Sequence, residues 1–187
     1  TVNKDFKVTT IEGRNEFLKK LTNSNPQMEA LLKQILSEDA LKEMADPTFA
    51  AVPNKEVKKD ESWSKDSHLD MGPIGKYDNT YKYTYEGLDK DKKSKIKVET
   101  TLKYTPPDEK ASGGGLPFKI KSATLASKNA GGTILFDADK GRVDESEMHV
   151  DLSGDLNIDI GGQATQVKLE QTQTTKVKTS DTNPIKK

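Results

Sequence analysis

One short motif carries residues that could bind a metal ion. Asp137-Ala138-Asp139-Lys140-Gly141 resembles the start of a calcium loop, in which spaced carboxylates ahead of a glycine supply oxygen ligands. The glycine falls one place too early for an EF-hand, and the twelfth position would be Met148, which is no ligand. The same residues between two predicted strands are typical of a turn with Gly141 at positive φ. We therefore interpret the motif as a turn.

The histidines offer a second source of metal ligands. His68 and His149 are the only two, and the chain has no cysteine, so a zinc site would need neighbouring carboxylates such as Asp66, Asp70 or Asp151. Both histidines fall on the polar faces of predicted strands. We expect them to be solvated surface residues, and we predict no metal and no cofactor.

Motifs for catalysis are missing from the sequence. Gly113-Gly114-Gly115 lacks the Gly-Lys-Ser/Thr ending of a phosphate-binding loop, and there is no Gly-x-Ser-x-Gly elbow of a hydrolase. Carboxylates are numerous but scattered over the polar faces, so no pair is favoured as a glycosidase pair. We expect a protein that is not an enzyme, with an unidentified hydrolase as a remote alternative.

Aromatic residues form a row that could bind a flat ligand. The row consists of Tyr77, Tyr81, Tyr83 and Tyr85, and Trp63 in the preceding predicted strand could add to it. Such a row could stack sugars or single-stranded nucleic acid. Ile96 and Val98 share the same face in the predicted pairing, which favours a core role. The net charge is zero, which argues against nucleic acid or an anionic membrane as the partner.

Two alternating runs near the C-terminus organise the predicted fold. Apolar residues occupy every second position from Met148 to Ile160, and a second run extends from Gln163 to Lys178. Gly161-Gly162 between them suits a two-residue primed turn, which fixes the register of the hairpin. The predicted opposed pairs are Leu156 with Val167, Gly154 with Leu169, and Asp155 with Lys168.

Two features interrupt this hairpin. Gly154 in mid-strand predicts a bend or a bulge. Beyond Leu169 the apolar face becomes polar, with Gln171, Gln173 and Thr175. This change is consistent with a sheet that extends past its core, and also with the half-wet mouth of a cavity.

A second hairpin is predicted upstream, and further strands surround it. Pairing Tyr85 with Ile96 places Tyr83 opposite Val98 and Lys82 opposite Glu99, which are both favourable cross-strand pairs. The remaining strands are predicted at Lys7 to Glu12, Ser62 to Asp70, Phe118 to Ser127 and Thr133 to Phe136. A glycine-containing link, Asn129 to Gly132, separates the last two.

The N-terminal region has helical periodicity. One apolar stripe comprises Phe17, Leu18 and Leu21, and another comprises Met28, Leu31, Leu32, Ile35 and Leu36. Asn25 suits the cap of the second helix and Ser37 the cap of a third, which we expect to end before Pro47. We expect these helices to cover the sheet rather than to bind a partner.

The predicted fold class is therefore α+β. A large curved antiparallel sheet of about seven strands, resembling a half-barrel, packs against two or three N-terminal helices. The length of 187 residues fits a single domain, with 1–50 mostly helical, 51–180 forming the sheet and 181–187 a flexible tail. Thr1 is not a natural start, which is consistent with a trimmed part of a larger domain. No apolar run approaches the ~20 residues of a membrane span.

Three stretches resemble one known family. They are Val52-Pro53 with Val57 leading to Trp63, Gly75 followed by 80–87, and 132–137 with Gly141-Arg142 and the long hairpin. They look like an uncharacterised family of secreted or envelope-associated bacterial proteins, typical of planctomycetes and known only as a domain of unknown function. The shared residues are turn and core residues, which specify a fold and no chemistry. The resemblance implies an extracytoplasmic location and no known activity.

We expect this protein to bind an apolar or amphipathic ligand in a groove between sheet and helices. The expected lining residues are Met28, Leu32, Ile35, Tyr81, Tyr83, Gln171 and Gln173. The expected partner is a lipid-like molecule or an envelope protein, and not nucleic acid. The alternative function is a structural module that binds protein or polysaccharide through an open face or edge of the sheet.

Overall fold

Three α-helices precede the sheet in the described part of the chain. The computed structural model describes residues 1–23, 26–53, 55–107 and 116–182. The helices are α1 (Arg14–Asn23), α2 (Glu29–Ile35) and α3 (Glu38–Phe49). The Ser37 hydroxyl accepts a hydrogen bond from the Ala40 amide at 3.1 Å, so the predicted cap of α3 is confirmed. Asn25 lies outside the described residues, as do the predicted loop glycines 113–115 and the tail residues 183–187.

The described strands form one antiparallel sheet in chain order. They are β1 (Ser62–Asp70), β2 (Lys76–Leu88), β3 (Ser94–Thr105), β4 (Lys119–Asp137), β5 (Arg142–Ile160) and β6 (Gln163–Lys178). Each strand pairs with the next, and β1 and β6 form the two edges of this open sheet. The predicted α+β class with a large antiparallel sheet is confirmed, but the described ranges contain six strands rather than about seven.

The strand count differs because a glycine pair does not interrupt β4. Residues 129–132 remain paired with β5 throughout, with Gly131 opposite His149 and Gly132 opposite Met148. A Cβ added at Gly132 would overlap the Glu147 carbonyl oxygen. The missing side chain therefore permits close contact between two strands and does not end one.

Both predicted hairpin registers are confirmed. Leu156 lies opposite Val167 and Asp155 lies opposite Lys168. In the upstream hairpin, Tyr83 lies opposite Val98 and Lys82 opposite Glu99. Gly161 and Gly162 have φ values of 61° and 92°, as a primed turn requires.

The strand predicted at Lys7 to Glu12 is wrong. This segment contributes a single bridge, between Val2 and Val8, and joins no strand of the sheet. The chain reverses at Phe6, whose φ is 59°, and the Phe6 ring packs edge-on against Phe136 with 5.5 Å between ring centroids. The apolar residues that suggested a strand, Phe6 and Val8, therefore pack against other parts of the chain without forming one.

The prediction that α3 ends before Pro47 is also wrong. The helix continues to Phe49, and the Ala50 amide donates to the Asp46 carbonyl at 2.7 Å. Proline at this position removes one helical hydrogen bond. The last turn nevertheless places buried Thr48 and Ala50 against the protein interior, so tertiary packing offsets the loss.

The core lies between the end of α3 and one part of the sheet. Its buried residues are Ala51, Tyr83, Ile96, Val98, Ile134 and Val143, with Phe49, Trp63, Tyr81, Phe136 and Met148 packed against them. Helix α3 contacts β1 and β5, whereas α2 contacts α1 and the turn at Gly72–Ile74. The helix that covers the sheet is therefore α3.

Gly154 does not mark the predicted bulge. The register runs without a shift through Leu125, Gly154 and Leu169, while β4 and β5 shift near Lys121, Lys128 and Asp144. A Cβ at Gly154 would overlap the Thr124 carbonyl oxygen. Gly154 is therefore required for the close approach of β4 and β5.

Replacing Gly154 by alanine tests this interpretation. We expect Gly154→Ala to lower the free energy of unfolding by roughly 1–3 kcal/mol, because the methyl group forces the two backbones apart. Urea unfolding measures the change. Ser153→Ala, on the opposite face of the same strand, is the control and should change stability much less. Equal effects for the two variants would contradict the role of Gly154.

Candidate functional site

A cavity of about 500 Å³ lies beside the core, beneath the connector between α3 and β1. The connector lining consists of Val52, Pro53, Lys55, Glu56 and Val57, and we call residues 52–53 and 55–57 the strap. The lining from the sheet consists of Trp63, Tyr85, Ser94, Ile96, Phe136 and Ala138. The cavity therefore has one wall from a connector and one from the sheet.

Strand alternation explains why the sheet wall is apolar. Tyr85 is paired with Ile96, and Ser94 is paired with Phe136, so these residues share one face of the sheet. Ile96 is only 4% exposed and belongs to the core cluster. The floor of the cavity is thus continuous with the hydrophobic core.

Trp63 is held in position on this wall. Its indole Nε1 donates a hydrogen bond to the Ala51 carbonyl oxygen at 3.0 Å. Its ring stacks on Tyr83, with centroids 5.7 Å apart and planes 20° apart. Because Ala51 directly precedes the strap, this bond fixes both the indole and the point at which the strap begins.

Charged groups lie at the other end of the strap. Lys55 Nζ contacts Glu61 Oε1 at 2.7 Å, and the Lys58 amide donates to Glu61 Oε2 at 3.1 Å. The hydrogen bond from Lys55, followed by that from the Lys58 amide, lowers the pKa of the Glu61 carboxyl. Glu56 is exposed nearby in the strap. The cavity therefore combines an apolar floor with a rim that carries both charges.

The residues predicted to line a groove lie elsewhere. Tyr83 is fully buried and donates its hydroxyl hydrogen to the Pro47 carbonyl at 3.0 Å, and Tyr81 stacks on it with 6.3 Å between centroids. Three of the predicted lining residues lie on α2 or just before it and are half-buried: Met28, Leu32 and Ile35. Gln171 and Gln173 are exposed on β6, which three strands separate from Tyr81 on β2. None of the seven lines the cavity beneath the strap.

No sequence pattern brings the residues of the strap cavity together. Trp63 and Tyr85 belong to the aromatic row for which a core role is predicted, and the connector between α3 and β1 carries no predicted site residue. The signal that could have identified the strap is the pair of apolar residues, Val52 and Val57, in an otherwise charged connector. Apolar residues that have no place in a helix or strand need another surface to cover.

A second cavity, of about 360 Å³, lies between α1 and α2. Its lining includes Arg14, Leu18 and Lys33. Arg14 donates from Nε to the Leu36 carbonyl at 2.5 Å and from a terminal nitrogen to the Lys33 carbonyl at 3.0 Å. The guanidinium therefore satisfies carbonyls at the end of α2, which is a structural role.

The residues that the sequence offered as candidate metal ligands lie on the surface of the sheet and in one turn. His68 Nδ1 lies 2.5 Å from Asp78 Oδ1 across β1 and β2, and both His68 and His149 are exposed, which confirms their predicted surface position. Gly141 has a φ of 61° and the Lys140 amide donates to Asp137, so the predicted turn is confirmed. Within the described ranges, no group of three or more histidine or acidic residues could hold a metal ion.

Comparison with known proteins identifies a family. The chain belongs to a family of unknown function, DUF6263, whose model matches residues 1–143. This confirms the expected membership of an uncharacterised family. No curated protein and no solved structure matches the chain. The matched range contains every residue that lines the strap cavity, whereas most of β5 and all of β6 follow it.

None of the helices in the described ranges is long and apolar enough to cross a membrane.

Removing the anchor of the strap gives one prediction. We expect Glu61→Ala to loosen the strap, because Lys55 and the Lys58 amide lose their shared acceptor. Hydrogen exchange at the Lys58 amide should become faster by roughly tenfold, which corresponds to the loss of about one hydrogen bond. Glu86→Ala removes an ion pair to Lys95 elsewhere and is the control. Unchanged exchange at Lys58 would contradict the anchor.

Alkaline pH gives another prediction. Burial, and next the Glu43 carboxylate, raises the pKa of Tyr81 to about 12, whereas the pKa of a tyrosine in the unfolded chain is about 10. The resulting stabilisation is present below about pH 10 and is lost as pH rises through the folded value of about 12. Urea unfolding at a series of pH values measures the decline. Tyr81→Phe should make it shallower, and an unchanged slope would contradict this assignment.

Proposed function

We propose that this DUF6263-family protein binds a small apolar or amphipathic molecule in the strap cavity and catalyses no reaction. The observation that carries the proposal is the cavity itself. Its volume of about 500 Å³ falls within the ~300–1,000 Å³ of small-molecule sites, which are mostly apolar and largely pre-formed. Nothing in the proposal requires a cofactor.

The lining indicates the chemistry of the ligand. Trp63, Tyr85 and Phe136 offer aromatic surface for an acyl chain or a flat ring. Lys55 at the rim offers a positive charge, which forms an ion pair with Glu61 at 2.7 Å in this structure. A ligand carboxylate can take the place of Glu61 on that ammonium. These features favour an apolar body that ends in one acidic group.

The proposal modifies the expected groove. The ligand was expected between the helices and the sheet, on residues on or just before α2 and on residues of β2 and β6. The cavity instead lies between the strap and the sheet, next to the end of α3. The chemistry is the same, since both sites offer an apolar wall with a polar rim.

The proposal also locates the protein outside the cytoplasm, in a bacterial envelope or secreted. Its support is the resemblance of the strap, the 80–87 strand and the 132–142 segment to secreted and envelope-associated bacterial proteins. Fractionation of the source cells tests this part independently. Recovery of the protein in the cytoplasmic fraction alone would contradict it without affecting the ligand proposal.

The single tryptophan provides a direct test of binding. Because Trp63 lines the cavity and is the only tryptophan, its fluorescence reports on that site alone. We expect dodecanoate to change Trp63 emission saturably with one site per chain. We also expect it to displace anilinonaphthalene sulfonate, which accepts energy from the indole.

A matched pair of substitutions decides where the probe binds. Val57→Phe fills the cavity and should weaken dodecanoate binding by about tenfold or more, since a ring now occupies ligand space. Val167→Phe makes the same change on exposed β6 and should leave binding unchanged. Equal affinities for both variants, or no saturable change in the wild-type chain, would overturn the proposal.

A further inference from the structure

The outer edge of β6 has no neighbour among the described strands. The strand is 16 residues long, pairs with β5 without a register shift, and is exposed along nearly its whole length. Only Leu169 and Val177 are partly covered. A long regular strand at the edge of a sheet presents unpaired backbone groups that can bind another strand.

The turn determines which backbone groups point outward. A two-residue turn makes Ile160 and Gln163 a hydrogen-bonded pair, and such pairs then alternate along the hairpin. The odd-numbered residues of β6 therefore bond to β5. The even-numbered residues direct their amides and carbonyls away from the sheet, so any added strand must bond to those.

We propose that the occupant of this edge is a second copy of the chain, paired antiparallel about a two-fold axis at Leu169. This inference is independent of the ligand proposal. It joins two six-stranded sheets into one, with each β6 bonded to the same strand of its partner. A symmetric pairing uses the same surface on both copies and closes without leading to a fibre.

Charge selects this register. An axis at Leu169 places Lys168 opposite Glu170 of the partner subunit, and Glu170 opposite Lys168 of the partner subunit. Both residues are even-numbered and exposed, as the outward bonding requires. An axis one residue earlier opposes lysine to lysine, and one residue later opposes glutamate to glutamate. Opposite charges at directly opposed positions stabilise a strand pair, and like charges destabilise it.

The apolar face gives a second reason for the same centre. Leu169 would face Leu169 of the partner subunit as a pair without backbone bonds, in which side chains approach most closely. Leu169 and Val167 lie on the apolar face that Leu156 continues across β5. Val167 is 38% exposed in the single chain. The axis at Leu169 therefore places apolar residues of the two copies together.

Lysine on an edge strand often protects against aggregation, and β6 has three: Lys168, Lys176 and Lys178. Lys176 and Lys178 bind Glu147 and Glu145 of β5 at 2.9 and 2.7 Å. Lys168 has no such partner within 4.0 Å among the described residues, although Asp155 lies opposite it. The lysine at the centre is thus the one available for a partner.

Single cysteines test the register, because the chain has none of its own. Leu169→Cys should form a disulfide-linked dimer on mild oxidation, since opposed Cα atoms at about 4.5 Å fall within disulfide range. Thr165→Cys and Gln173→Cys should each fail alone, and should crosslink when mixed, because those two positions oppose each other. Thr101→Cys, exposed on β3, controls for random collision.

Charge reversal supplies a measurement without cysteine. Lys168→Glu places acids opposite each other at both symmetric contacts and should raise the dimer dissociation constant by about tenfold, measured by sedimentation velocity. The double change K168E/E170K restores opposite charges and should restore dimerisation. Because the double variant keeps the Lys168→Glu change, rescue excludes simple damage to β6.

Three results would overturn the proposal. Leu169→Cys could crosslink no faster than Thr101→Cys, which would mean that the edge does not pair with itself. Thr165→Cys or Gln173→Cys could crosslink alone as fast as Leu169→Cys, which would mean another register. The double charge swap could remain as weak as Lys168→Glu, which would remove the reason for the axis at Leu169.

Discussion

Burial of Tyr83 fixes how the helical region sits on the sheet. The side chain is fully buried, stacks between Trp63 and Tyr81, and donates its hydroxyl hydrogen to the Pro47 carbonyl. Trp63 makes the matching bond to Ala51. Together these bonds attach the chain to the sheet on both sides of Phe49. The strap leaves α3 from this fixed point, so the position of the cavity depends on the same contacts.

The two parts of the sheet have different environments. The core cluster occupies one part and includes Val143 of β5, whereas β6 lies beyond it and makes exposed ion pairs to β5, such as Lys176 with Glu147 and Lys178 with Glu145. Exposed ion pairs add little stability, so backbone bonds and a regular register hold β6 on β5. This arrangement accounts for the low apolar content of 32%. It also leaves an ordered edge that can pair with another strand.

Features that depend on neighbouring residues could be predicted from the sequence. Alternation and a two-glycine turn predicted both hairpin registers, because strand faces and turn length are local properties. The predictions that α3 ends before Pro47 and that the glycines of β4 separate two strands are wrong, because contacts with Tyr83 and with β5 outweigh these local tendencies. The cavity could not be predicted. It requires Ala51 to meet Trp63 and Phe136 to lie near the strap, and no pattern in the connector specifies those distances.

The claim that the strap cavity binds a ligand is tested most directly by the Trp63 indole N–H. Because the chain has one tryptophan, the proton-nitrogen correlation spectrum of the protein contains one indole signal. It comes from the N–H group that donates a hydrogen bond to the Ala51 carbonyl beside the cavity. We predict that dodecanoate shifts this signal saturably, together with amides of Val57 and Phe136. A stationary indole signal while dodecanoate shifts resonances elsewhere would contradict the account.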